Sequence, residues 1–120
     1  MKRTGPTNVL LRETIVALER ASRKEDAPIW DDVAYELSRA TRKRIVVNVG
    51  KISKLSKDGD VVVVPGKVLG FGRIDKRVTV AAWAFSESAR SKIEGAGGRA
   101  IGILDLVKEN PKGSNITIIK

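Results

Sequence analysis

Cysteine and histidine are both missing from the 120 residues. Without cysteine there is no disulfide scaffold and no thiol nucleophile. Without either residue there is no Cys/His zinc site and no imidazole general base. Aromatic side chains are scarce, with Trp30, Tyr35, Phe71, Trp83 and Phe85 the only five. Proteins that stack successive bases carry more of them on one surface. No apolar run approaches the ~20 residues that cross a bilayer, and no signal-peptide core is visible. The chain is therefore expected to be soluble and cytoplasmic, with no membrane partner. What is there is positive charge, since 23 Lys+Arg against 14 Asp+Glu give a net +9. With 42% apolar residues a core is within reach, and the length suits one domain over 1–120, because compact domains most often run ~100–150 residues.

The positive charge is gathered. Residues 39–77 hold Arg39, Arg42, Lys43, Arg44, Lys51, Lys54, Lys57, Lys67, Arg73, Lys76 and Arg77, eleven cations against the three anions Asp58, Asp60 and Asp75. The rest of the chain holds 12 cations and 11 anions and is nearly neutral. A basic composition that served only solubility has no reason to segregate in this way, so a polyanion, nucleic acid above all, is the expected partner.

The order of elements predicts a mixed α/β domain. Met1 to Pro6, with Lys2 and Arg3, reads as a flexible basic tip. Thr7 is a plausible N-cap for a helix over 8–23, whose Leu11, Ile15, Leu18 and Ser22 make a stripe of helical period and whose Arg12 faces elsewhere. Pro28 opens a second helix with Trp30, Val33, Ala34 and Leu37 inward. Past residue 44 the β-branched runs Ile45–Val49, Val61–Val64 and Val78–Phe85 predict strands, the first two apolar enough to be buried on both faces. Pro65-Gly66 is expected to stop the second run and to open a glycine-rich basic loop over 66–77. Ser86 caps a helix over 87–96 that ends at Gly97-Gly98. A strand at 100–103, a helical turn at 104–109, a turn at 110–113 and a strand at 116–119 follow.

Two constellations suit phosphate contact. In the 66–77 loop, glycines let the backbone approach closely while Lys67, Arg73, Lys76 and Arg77 supply charge, and Phe71 either enters a nucleic-acid pocket or packs down. In the second, Arg39, Arg42, Lys43 and Arg44 lead into Lys51, Lys54 and Lys57, lysines at every third residue. The loop is not a nucleotide-binding P-loop, because Val61 stands where that motif needs glycine and Val68 where it needs Ser or Thr. Catalysis has little to build on. Asp31 and Asp32 point about 100° apart on a helix, and Asp58-Gly-Asp60 reads as a turn before a strand rather than a magnesium site. No enzyme activity, metal, cofactor or small-molecule substrate is expected.

Several stretches together carry a resemblance: Thr7-Asn8-x-x-Leu11-Arg12, Val47-Asn48-Val49-Gly50-Lys51-Ile52, Val63-Val64-Pro65-Gly66-Lys67-Val68-Leu69-Gly70, Val78-Thr79-Val80-Ala81-Ala82 and Asn110-Pro111-x-Gly113-Ser114. In this order the chain resembles the archaeal large-subunit ribosomal protein eighteen-e family, which is shared with bacterial large-subunit protein fifteen. The resemblance implies N-terminal helices followed by an irregular β-β-α superhelical arrangement. It also implies a structural, non-enzymatic role on the ribosome, bound to large-subunit rRNA beside neighbouring ribosomal proteins. Two alternatives stand beside this reading. One is a free-standing RNA- or DNA-binding chaperone or chromatin factor, and the other a small metal-dependent nuclease using Asp58, Asp60 and a lysine.

Overall fold

The computed structural model describes residues 9–39 and 45–120. The expected N-cap Thr7, the basic tip with Lys2 and Arg3, and the cluster Arg42, Lys43 and Arg44 lie outside the described residues.

Helix α1 (Val9–Glu25) buries Leu11, Thr14, Leu18 and Ser22, which is the stripe that the spacing predicts, with Thr14 taking the place of Ile15. Thr14 is tolerated there because its Oγ1 donates to the Leu10 carbonyl one turn back, 2.9 Å away. Pro28 starts α2 (Pro28–Leu37), whose Trp30, Val33, Ala34 and Leu37 are all buried. The Trp30 indole Nε1 donates to the Pro111 carbonyl at 2.7 Å, so its one polar group is not orphaned in the core. Strand β1 (Ile45–Asn48) leads directly into α3 (Val49–Leu55), then β2 (Val61–Leu69), β3 (Thr79–Phe85), α4 (Glu87–Gly95), β4 (Arg99–Gly102), α5 (Ile103–Glu109) and β5 (Ile116–Ile118). The Ser86 hydroxyl caps α4 by accepting from the Ala89 amide at 3.1 Å, as expected of that residue.

All five strands are parallel, in the order β1-β2-β3-β4. This is the mixed α/β architecture expected, N-terminal helices first. Its irregularity lies in β2. One edge of β2 is shared by two strands, β5 beside Val61–Val63 and β1 beside Gly66–Leu69. Pro65 falls in the gap between them, and the register against β3 shifts between Val64 and Lys67. A residue without an N–H is acceptable at such a bulge. Pro65-Gly66 therefore does not stop the strand, contrary to expectation, and the loop begins only after Leu69. Gly66 is required in the strand because a Cβ there would lie 2.1 Å from the Ile45 carbonyl oxygen of the adjoining β1.

Two further expectations are corrected. Val46 is 56% exposed, so β1 is an edge strand and not buried on both faces. Nothing local predicts helix α3, since Gly50 and the β-branched Val49 and Ile52 are weak helix formers; burial of Val49 and Ile52 overrides their propensity.

The sheet separates two cores. On one face Val62, Val64, Val80 and Ala82 meet Ile52 of α3 with Ala89 and Ile93 of α4. On the other, Val63 and Ala81 meet Leu11, Leu18, Trp30, Leu37, Ile103 and Leu106 from α1, α2 and α5. The connections account for this division. Helices α3 and α4 carry the chain one strand forward, whereas α5 carries it back from β4 to β5, and crossovers of one hand in opposite directions need opposite faces. Between β2 and β3 no helix makes the return. The segment 70–78 does so instead, running over the α3 and α4 face, and this positions the candidate site.

Candidate nucleic-acid interface

The return segment is fastened along its length. At its start the Phe71 amide donates to Asn48 Oδ1 and the Gly50 amide donates to the Phe71 carbonyl, both at 3.1 Å. Lys92 on α4 donates to the carbonyls of Gly70 and Gly72 at 2.7 and 2.8 Å. Further along, Lys76 donates to the carbonyls of Ser53 and Ser56 at the end of α3, at 2.6 and 2.9 Å. At the far end the Arg77 amide donates to Asp58 Oδ1 at 2.8 Å and the Gly59 amide to the Arg77 carbonyl at 2.7 Å. Ile74 packs against the core beneath. The loop is thus an ordered strap, with Asn48, α3 and α4 as its supports.

Around this strap the fold gathers five of the predicted residues. Lys51 and Lys54 stand one turn apart on α3, so the three-residue spacing places them on one helical face. They line a hollow with Asn48, Gly50, Phe71 and Gly72. Lys54 also lines the adjoining hollow with Arg73 and Lys76. Phe71 does not pack down; its side chain is 81% exposed. Lys76 spends its charge on two carbonyls and holds the strap, and Lys51 donates to the Lys120 carbonyl at 2.5 Å. Lys57 and Arg77 lie at the far end of the strap, both exposed.

Three predicted residues point elsewhere. Lys67 is exposed on β2 beside Val46 and Ala84, in a cleft with Leu11, Leu37 and Trp83 on the α1 and α2 side. Arg39 lies two residues past the end of α2, where it pairs with Glu36 at 3.0 Å. Arg12 lies on the outer flank of α1 with Val16 and Arg20. Two basic residues that the sequence reading missed contribute. Lys92 organises the strap, and Lys120 donates to Glu36 Oε2 at 2.8 Å. Nothing local signals either role, because Lys92 meets carbonyls twenty or more residues away and Lys120 meets Glu36 across the tertiary fold.

The electrostatics separate structural from unspent charge. Among the described residues the ion pairs are Arg39–Glu36, Lys120–Glu36, Arg90–Glu94 and Arg99–Glu109, and none involves Lys51, Lys54, Lys57, Lys67, Arg73 or Arg77. Glu36 is buried, and its carboxyl is held below the ordinary carboxylate range by the hydrogen bond from Lys120, against the opposing effect of burial, with a further bond from Arg39. The two carboxylates of the Asp58-Gly-Asp60 turn are engaged by backbone amides, Asp58 by Arg77 and Asp60 by Lys57 at 2.9 Å. Asp60 closes the local turn, and Asp58 reaches across to the end of the strap. No described helix is long and apolar enough to cross a membrane.

Comparison with known proteins bears on this arrangement. The family model of ribosomal proteins 50S-L15, 50S-L18e and 60S-L27A matches residues 38–101, a stretch that contains β1, α3, β2, the strap and α4. The chain is 50% identical over 119 residues to large ribosomal subunit protein eL18 of Methanococcus maripaludis, covering 99% of each chain. It is 52% identical to the eL18 of Methanopyrus kandleri, covering 98% of this chain and 96% of that one. The chain belongs to this family. The resemblance carried by the sequence motifs is borne out, and the L15/L18e match spans the basic stretch and its supports. The eL18 of Methanothermobacter thermautotrophicus, 46% identical over 120 residues, extends the likeness to 100% of this chain and so to both N-terminal helices.

Proposed function

We propose that this protein is a structural constituent of the large ribosomal subunit that binds and stabilises folded large-subunit rRNA through its basic surface. The observation that carries the reading is the set of exposed cations Lys51, Lys54, Lys57 and Arg73 along an ordered strap, none in an ion pair among the described residues. Exposed cations that no carboxylate neutralises are available for phosphates. The eL18 relatives supply the ribosomal context. The mechanism is geometric: α3, α4 and the strap hold the cations at fixed separations, and phosphates take the place of their counterions. Neither catalysis nor a cofactor enters this role; the partners are rRNA and adjoining ribosomal proteins, on cytoplasmic ribosomes.

Co-sedimentation with large ribosomal subunits after a high-salt wash tests the proposal. Retention is expected. Release by the wash would favour a free-standing RNA- or DNA-binding factor.

A further inference from the structure

Phe71 is the most exposed large apolar side chain among the described residues, at 81%. Exposure of this degree usually accompanies a mobile tip, but here the residue's own backbone is fixed on both sides. Its amide is held by Asn48 Oδ1 and its carbonyl by the Gly50 amide, each at 3.1 Å. The carbonyls on either side, Gly70 and Gly72, are held by Lys92. The fold therefore holds the Phe71 backbone in place and leaves the ring exposed, with no cation–π contact among the described residues. Beside the ring, Lys51 and Lys54 line the same hollow, together with Asn48, Gly50 and Gly72 and with no acidic residue.

We infer that Phe71 is a stacking platform for one unpaired RNA base, with Lys51 and Lys54 contacting the phosphates that flank it. This rests on the RNA-binding reading above and adds to it a specific nucleotide conformation. An exposed aromatic ring beside two cations matches a nucleotide, which offers a π-face and phosphate charge within one residue. A pocket on a neighbouring protein would match the ring but not the lysines. Only one base is accommodated, because the other ring on this face, Phe85, is partly buried and lies under the Arg90 guanidinium, 5.1 Å from its centroid.

The test uses two RNA duplexes of about sixteen base pairs, a length that a compact double-strand binder spans. One carries a single bulged 2-aminopurine and the other is fully paired. The intact protein is expected to prefer the bulged duplex about fivefold or more, the lower end of what one stacked base contributes, and to quench the 2-aminopurine fluorescence. Phe71→Ala and Phe71→Leu should each abolish the preference and the quenching while leaving thermal unfolding unchanged, and Phe71→Tyr should keep both. Lys51→Ala and Lys54→Ala should weaken both duplexes equally. Binding of both duplexes without preference, or a preference that survives Phe71→Ala, overturns the stacking role alone. Failure to bind either duplex overturns the RNA-binding reading with it.

Discussion

Gly50 and Gly72 meet backbone to backbone where α3 supports the strap: a Cβ on Gly72 would lie 2.8 Å from the Gly50 Cα. Gly72 also has φ +94°, in the left-handed region. Gly72→Ala is thus opposed twice, by conformation and by contact. It should destabilise the protein by about 1–3 kcal/mol, read as a lower denaturant midpoint, and should weaken RNA binding by moving Phe71 and Arg73. A normal midpoint would show that the strap yields without cost.

Lys92→Met removes the two bonds that clamp Gly70 and Gly72. Because Lys92 is exposed, the global effect should stay below about 1 kcal/mol. The local effect should be larger. Hydrogen exchange at the Gly50 amide, which donates to Phe71, should accelerate while amides in β2 and β3 keep their protection. Equal acceleration throughout would make Lys92 a general contributor to stability instead.

The charge on this surface should be visible as salt dependence. If about six to eight phosphates are contacted, log K should fall with log salt with a slope of about −5 or steeper, and each removed lysine should reduce that slope by about one. A slope near −1 to −2 would refute a broad surface. Simultaneous replacement of Arg42, Lys43 and Arg44 by Ala should weaken binding with thermal unfolding nearly unchanged. Loss of both properties together would identify those three as structural.

Glu36 ties Lys120 and Arg39 to the buried end of α2. Its folded carboxyl is held below its unfolded value, so the stabilisation is fully present above about pH 4.3. It is lost as pH falls through the lowered folded value. Glu36→Gln should therefore cost about 1–2 kcal/mol near pH 7, and the difference from the intact protein should shrink below pH 4 in urea melts at the two pH values. A gap that persists at low pH would point to packing instead of charge.

The sequence by itself determined the elements whose signals are local: the two amphipathic helices with Trp30 and Leu37 inward, the Ser86 cap, the β-branched strands and the segregation of cations into 39–77. Period and capping are properties of adjacent residues, so they are readable without a fold. The tertiary structure decided the rest. It carried β2 through Pro65, because β1 and β5 leave a gap there, and it made a helix of Val49–Leu55, because burial outweighed propensity. It also divided the cations, placing Lys51, Lys54 and Arg73 along the strap, Lys67 in a cleft on the α1 and α2 side and Arg39 against Glu36. Charge is written in composition, but which charges share a surface depends on strand order and on contacts such as Lys92 to Gly72, which no neighbouring residue encodes.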